Sequence, residues 1–145
     1  MSLLQLFYYA GGCKRNDLEL ALKSNNAKYL WCFLEMNLFE MDEIEERFGF
    51  RPTFQIKLNK TDRHNQPDPP ETFQQAVALI RECDGDCVFT RDENTIYLRK
   101  NGKLLVSQQS AHYSKGTRAL LDGLQFQIAA EDPDGSLFPI TNNAG

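Results

Sequence analysis

Two histidines, His64 and His112, and four cysteines, Cys13, Cys32, Cys83 and Cys87, are the chain's whole supply of imidazole and thiol. Nucleophilic catalysis by a Ser/His or Cys/His pair needs a histidine beside a suitable partner. His64 falls in the polar run 61–69, where a solvated side chain is expected, and His112 stands next to Tyr113 outside any catalytic spacing. Cys83-Asp84-Gly85-Asp86-Cys87 sets two thiols around a turn, but no second cysteine or histidine pair has the spacing a zinc site requires. A redox pair is normally Cys-x-x-Cys where a helix opens and its dipole lowers the thiol pKa; here a helix is expected to end. Asp84-Gly85-Asp86 and Asp132-Pro133-Asp134-Gly135 lack the series of oxygen ligands that holds calcium. Gly11-Gly12 is followed by no Gly-Lys-Ser/Thr and so opens no phosphate loop. The expectation is no catalytic residue, no metal site and no cofactor.

What remains is charge. Residues 35–46 hold six acids, Glu35, Glu40, Asp42, Glu43, Glu45 and Glu46, and no Lys or Arg. The chain as a whole carries a formal −4, so everything outside this stretch comes to +2. Met36, Leu38, Phe39, Met41 and Ile44 are interleaved with the acids, more apolar residues than one buried helical face needs. Two readings stay open. One is a solvated helix face, its acids favourably placed near the N-terminus. The other is a contact surface on which acids steer a basic partner and apolar side chains supply burial. On that reading the partner-binding residues are Glu35, Glu40, Asp42, Glu43, Glu45, Glu46, Phe39 and Met41. A mildly negative chain is a poor general nucleic-acid binder, because phosphate neutralisation needs a basic field.

These side chains must be positioned by a small fold. A chain of 145 residues, 41% hydrophobic and 25% charged, is expected to form one domain over 1–145, its tail 132–145 mobile in part. Residues 1–13 have no basic segment ahead of them and are too short to span a bilayer, so neither a signal peptide nor a membrane helix is expected. The cysteines then suit a reducing, cytoplasmic setting.

Asn16 and Glu19 are placed to cap a helix burying Leu18, Ala21 and Leu22. Residues 28–35 read as a buried strand, with one helix running on to Phe48 as the alternative. Asp42 is expected to cap a short helix over 43–48 that Gly49 stops. Alternation predicts a strand over 53–60. Asp68-Pro69-Pro70-Glu71 opens a helix whose apolar face is Phe73, Ala76, Val77 and Ile80. Strands follow at 87–90, 95–99 and 103–107, the last two joined by a primed Asn101-Gly102 turn. A helix from Ser114 to Asp122 and a strand at 125–130 complete the chain. The predicted class is α+β: a mostly antiparallel, meandering sheet with about three helices packed on one side.

Phe48-Gly49-Phe50-Arg51-Pro52-Thr53 leads into a strand ending Leu58-Asn59-Lys60. After the helix come Gly85-Asp86-Cys87-Val88-Phe89, then Glu93, then Ile96-Tyr97-Leu98-Arg99-Lys100-Asn101-Gly102-Lys103-Leu104-Leu105-Val106. Over residues 48–106 this order resembles the immunity proteins of bacterial polymorphic toxin systems, most of all the myxobacterial swarm-inhibition-toxin immunity group. That group's pattern is a Gly-x-x-Pro strand, a helix, Gly-Asp, and a hairpin carrying Leu-x-Arg-x-x-Gly-x-Leu. The chain departs from it at Asp92-Glu93-Asn94, where Asn-Gly-Glu is expected, and at Ala111-His112-Tyr113, where a Trp is expected.

The resemblance implies a non-catalytic cytoplasmic immunity protein that binds and neutralises a cognate toxin through a protein–protein interface. The expected partner is that toxin, presenting a basic surface, with no nucleic acid and no membrane involved. Immunity contacts differ with each toxin, so no contact residue carries over. The alternative is a small-ligand-binding α+β domain, or an enzyme, with a pocket between sheet and helices lined by Tyr8, Tyr9, Trp31, His112 and Tyr113. A structural or regulatory interaction module is a third reading.

Overall fold

The computed structural model describes residues 4–24, 30–60, 69–108, 118–131 and 136–139. Along the chain run β1 (Gln5–Ala10), α1 (Arg15–Ser24), β2 (Leu30–Leu34), α2 (Leu38–Phe48), β3 (Phe54–Lys60), α3 (Pro69–Glu82), β4 (Asp86–Arg91), β5 (Asn94–Lys100), β6 (Lys103–Ser107), β7 (Gln127–Glu131) and β8 (Leu137–Pro139). All eight strands join one sheet in the order β2-β3-β1-β4-β5-β6-β7-β8. Every pairing is antiparallel except β6 with β7. The fold is α+β with a mostly antiparallel sheet, as its alternating strands and amphipathic helices predict.

The first four strands follow a stricter rule. β1 and β2 run the same way on either side of β3, and β3 and β4 run the same way on either side of β1. α1 and α3 are therefore crossovers between like-directed strands, the split βαβ arrangement of ferredoxin-like topology. A half-turn about the sheet normal exchanges the two crossovers without changing face. Two crossovers of one hand must then lie on one face. They do: Leu18, Ala21 and Leu22 of α1 share a core with Phe73, Ala76, Val77 and Ile80 of α3 and with Phe7, Tyr9, Ile56, Phe89 and Tyr97 of the sheet.

The expected placement of all three helices on one side needs correction at α2. This helix joins β2 to β3, which are antiparallel neighbours, so no crossover rule assigns it a face. The opposite face of the sheet carries Tyr8, Val88, Leu98, Ala129 and Leu137, and Ile44, Phe48 and Phe50 cover it. Strands apolar on both faces need shielding on both.

Helix starts differ from expectation as well. α2 begins at Leu38, not at 43: the side chain of Asn37 accepts a hydrogen bond from the Glu40 N–H at 2.8 Å. Asp42 is thus an exposed residue of the second turn, while Gly49 stops the helix in the left-handed conformation at φ 82° as predicted. In α1 the cap is not Asn16; the Asp17 carboxylate reaches back to the Lys14 N–H at 2.8 Å.

The β5–β6 turn has positive φ at Asn101 and Gly102, the primed geometry predicted for it. Residues 118–124 make i-to-i−3 hydrogen bonds, Leu121 N–H to Arg118, Asp122 N–H to Ala119 and Leu124 N–H to Leu121. The rest of the expected Ser114 helix lies outside the described residues. From this turn the chain enters β7 parallel to β6, with Val106 opposite Ile128. No helix among the described residues is long and apolar enough to cross a membrane.

Candidate functional site

The eight residues expected to bind a partner lie on and just before α2. At 100° per residue, Ile44 and Phe48 point into the core and Glu40, Met41 and Arg47 flank them, half-buried. The outward face centres on Phe39, which is 76% exposed, with Asp42, Glu43 and Glu46 at its i+3, i+4 and i+7 positions. Leu38 beside it is 70% exposed. The structure therefore gathers Phe39, Asp42, Glu43 and Glu46 on one solvent face and leaves Met41 half-buried at its side. Glu35 is exposed in the connection from β2.

The acids are not equivalent. Arg51, beyond the helix, donates to Asp42 at 2.6 Å and to Glu45 at 3.2 Å through one guanidinium nitrogen. Glu35, Glu40, Glu43 and Glu46 have no salt bridge among the described residues. The acidity on offer to another molecule is thus concentrated around Phe39. Leu30 (60% exposed) and Leu34, on the edge strand β2, extend the uncovered apolar surface towards α2.

Beneath α2 lies a cavity of about 220 Å³ lined by Leu6 and Tyr8 of β1, Glu40, Glu43 and Arg47 of α2, Thr90 and Glu93. Burial pushes the Tyr8 phenol above its ordinary pKa, partly offset by the Gln55 amide, which donates to its oxygen at 3.0 Å. The cavity is smaller than the 300–1,000 Å³ usual for small-molecule sites.

The aromatic pocket of the alternative reading does not assemble as expected. Tyr8 and Tyr9 point to opposite faces of β1 and join different cores, while Trp31 packs with the Tyr9 side. Adjacent strand residues cannot share a face. His64, His112 and Tyr113 lie outside the described residues. No group of three or more His, Cys, Asp or Glu among the described residues is arranged to hold a metal.

A second cluster was invisible in the sequence because its parts lie far apart in the chain. The Tyr9 hydroxyl donates to the Asp84 carbonyl and accepts the Cys13 N–H at 3.0 Å. Gly11 and Gly85 let the two backbones touch: a Cβ on Gly11 would sit 2.5 Å from the Asp84 oxygen and 2.9 Å from the Gly85 Cα. Arg99 of β5, in the hairpin that turns at Asn101-Gly102, closes the cluster. It donates to the carbonyls of Ile80 at 2.7 Å, Gly85 at 2.7 Å and Cys83, so a cation caps the end of α3.

Within this cluster burial raises the Cys83 thiol to about 12, helped by Cys13, and raises Cys87 to about 11. Both start from an ordinary 9.0. Above pH 9 the unfolded chain sheds these protons while the folded protein keeps them, so stability falls as pH rises towards 11–12. Urea titrations under reductant are expected to show a loss of about 2 kcal/mol between pH 8 and pH 10. Cys87→Ala should flatten the slope, and an equally steep slope in that variant counts against the assignment.

Comparison of the chain with protein-family models, curated proteins and solved structures returns no match. What the geometry defines is a one-sheet α+β protein with an exposed acidic, apolar helix on one face and a thiol-bearing cluster on the other.

Proposed function

We propose that the protein is a non-catalytic binding protein that uses the outward face of α2 to engage a basic protein partner. In particular, we read it as a cytoplasmic immunity protein that occludes a cognate bacterial toxin. The observation that carries this reading is Phe39, almost fully exposed amid Asp42, Glu43 and Glu46. Water is a costly neighbour for a phenylalanine, and burying that side chain on a partner returns about 1.5–3 kcal/mol. The surrounding carboxylates accelerate encounter with a positive surface and disfavour acidic competitors. If the toxin is a nuclease, the same carboxylates stand in for substrate phosphates. The resemblance over residues 48–106 supports the same class.

The test is binding to the toxin domain encoded beside the protein's own gene, with protection of cells that express both. Reversing Glu43 and Glu46 to Lys is expected to slow association at least tenfold at low salt. It should leave unfolding within about 0.5 kcal/mol of wild type, because exposed charges contribute little to stability. An unaltered association rate rejects α2 as the interface; absence of binding and protection rejects the immunity reading.

A further inference from the structure

The structure assigns Cys13 and Cys83 as a dithiol that hydrogen peroxide closes into an intramolecular disulfide. Cys13 lies between β1 and α1, partly exposed at a hollow of about 530 Å³ that Asp17, Leu20 and Glu82 also line. Cys83 is buried just past the end of α3. Cys13 packs against the core that holds Cys83, and its neighbourhood helps keep the Cys83 proton in place. The backbones of the two segments are held together as well. Tyr9 binds the Cys13 N–H and the carbonyl of Asp84, the residue after Cys83. The contact of Gly11 with Gly85 leaves no room for a side chain between the segments. Arg99 pins the Cys83 carbonyl from the far side. A pair held this way reacts as a preorganised one, without the entropic cost of bringing two distant chain segments together.

Access sets the order of events. Peroxide reaches Cys13 through the hollow, whereas Cys83 is shielded and keeps its proton. The Cys13 sulfur attacks one peroxide oxygen, the O–O bond breaks, and water leaves, giving a sulfenic acid. The Cys83 sulfur then attacks the Cys13 sulfur; the S–O bond breaks and the second oxygen departs as water with the Cys83 proton. Two thiols and one peroxide become one disulfide and two waters. Cys87, the cysteine nearest Cys83 in sequence, is fully buried in β4, and Cys32 lies on β2. Neither is the assigned partner.

The full-length protein is treated with hydrogen peroxide, remaining thiols are alkylated, and a non-reducing digest is read by mass spectrometry. The expected product is a peptide pair linked through Cys13 and Cys83, lighter by two hydrogens and separated by dithiothreitol. Closing so long a loop is expected to raise Tm by roughly 10 °C, reversibly on reduction. Cys13→Ser and Cys13→Ala, both at a partly exposed position, should fold and lose the link and the shift together. Cys13 over-oxidised beside a free Cys83, a Cys83–Cys87 link, a dimer through Cys32, or a Tm shift that survives in both Cys13 variants each overturns the assignment.

Discussion

Replacing Arg99 with alanine is expected to lower the unfolding free energy by about 3 kcal/mol, the largest loss foreseen for any polar side chain described above. The guanidinium makes three charge-assisted hydrogen bonds to main-chain carbonyls, at Ile80, Cys83 and Gly85. Each such bond is worth about 1.5–3 kcal/mol in isolation, and their sum is reduced because water reaches part of the helix end once the side chain is gone. The residual cost comes from the carbonyls that lose the guanidinium donors and from the lost cation at the negative end of α3. Urea denaturation reads the effect directly: the midpoint should fall with an unchanged m-value. Lysine should restore less than half, since a point charge cannot reach three carbonyls from one planar fork. A loss below about 1 kcal/mol in the alanine variant would mean that the α3 end is held by packing alone.

The second large effect concerns binding. Phe39→Ala is expected to weaken capture of the cognate toxin domain at least tenfold while leaving stability within about 0.5 kcal/mol of wild type. A buried phenylalanine behaves in the opposite way. Phe73 stacks edge-on against Phe89 and Tyr97 in the core, and truncating it should cost about 3–5 kcal/mol of stability. The contrast makes the experiment decisive, because the two substitutions remove the same atoms from opposite environments. Calorimetric titration of the two variants with the toxin domain, alongside thermal unfolding, separates them. Wild-type affinity in the Phe39 variant would remove α2 from the interface.

Sequence signals proved most legible where they are local. The φ values at Asn101 and Gly102, the buried i, i+3, i+4, i+7 face of α3 and the Gly49 stop depend on neighbouring residues, and all three were predictable. The start of α2 was not, because Leu38 and Phe39 break the usual link between apolar residues and burial and so look like the approach to a helix. That same anomaly is what makes the helix interesting. The sharing of acids was equally hidden: Arg51 lies outside the acidic run in sequence yet bonds to two of its members. Non-local pairings were beyond reach altogether. Nothing adjacent to Cys13 announces Cys83, and nothing in residues 125–130 distinguishes a parallel β7 from one more antiparallel strand. The split of helices between faces follows from strand order, which a one-dimensional pattern does not contain.

The position of β1 has a consequence for how the protein comes into being. Its edges pair with Phe54–Lys57 of β3 on one side and with Asp86–Arg91 of β4 on the other. During synthesis β1, the first of the described strands to be made, therefore waits for β4 before both of its edges are paired. Until then Leu6, Phe7, Tyr8 and Tyr9 travel with open hydrogen-bonding edges and bare apolar faces. Closing two such distant contacts before either rewards the chain places folding on the order of milliseconds to seconds. A nascent chain stalled ahead of β4 carries an unfinished sheet centre, and this makes the N-terminal segment the one with most need of a chaperone.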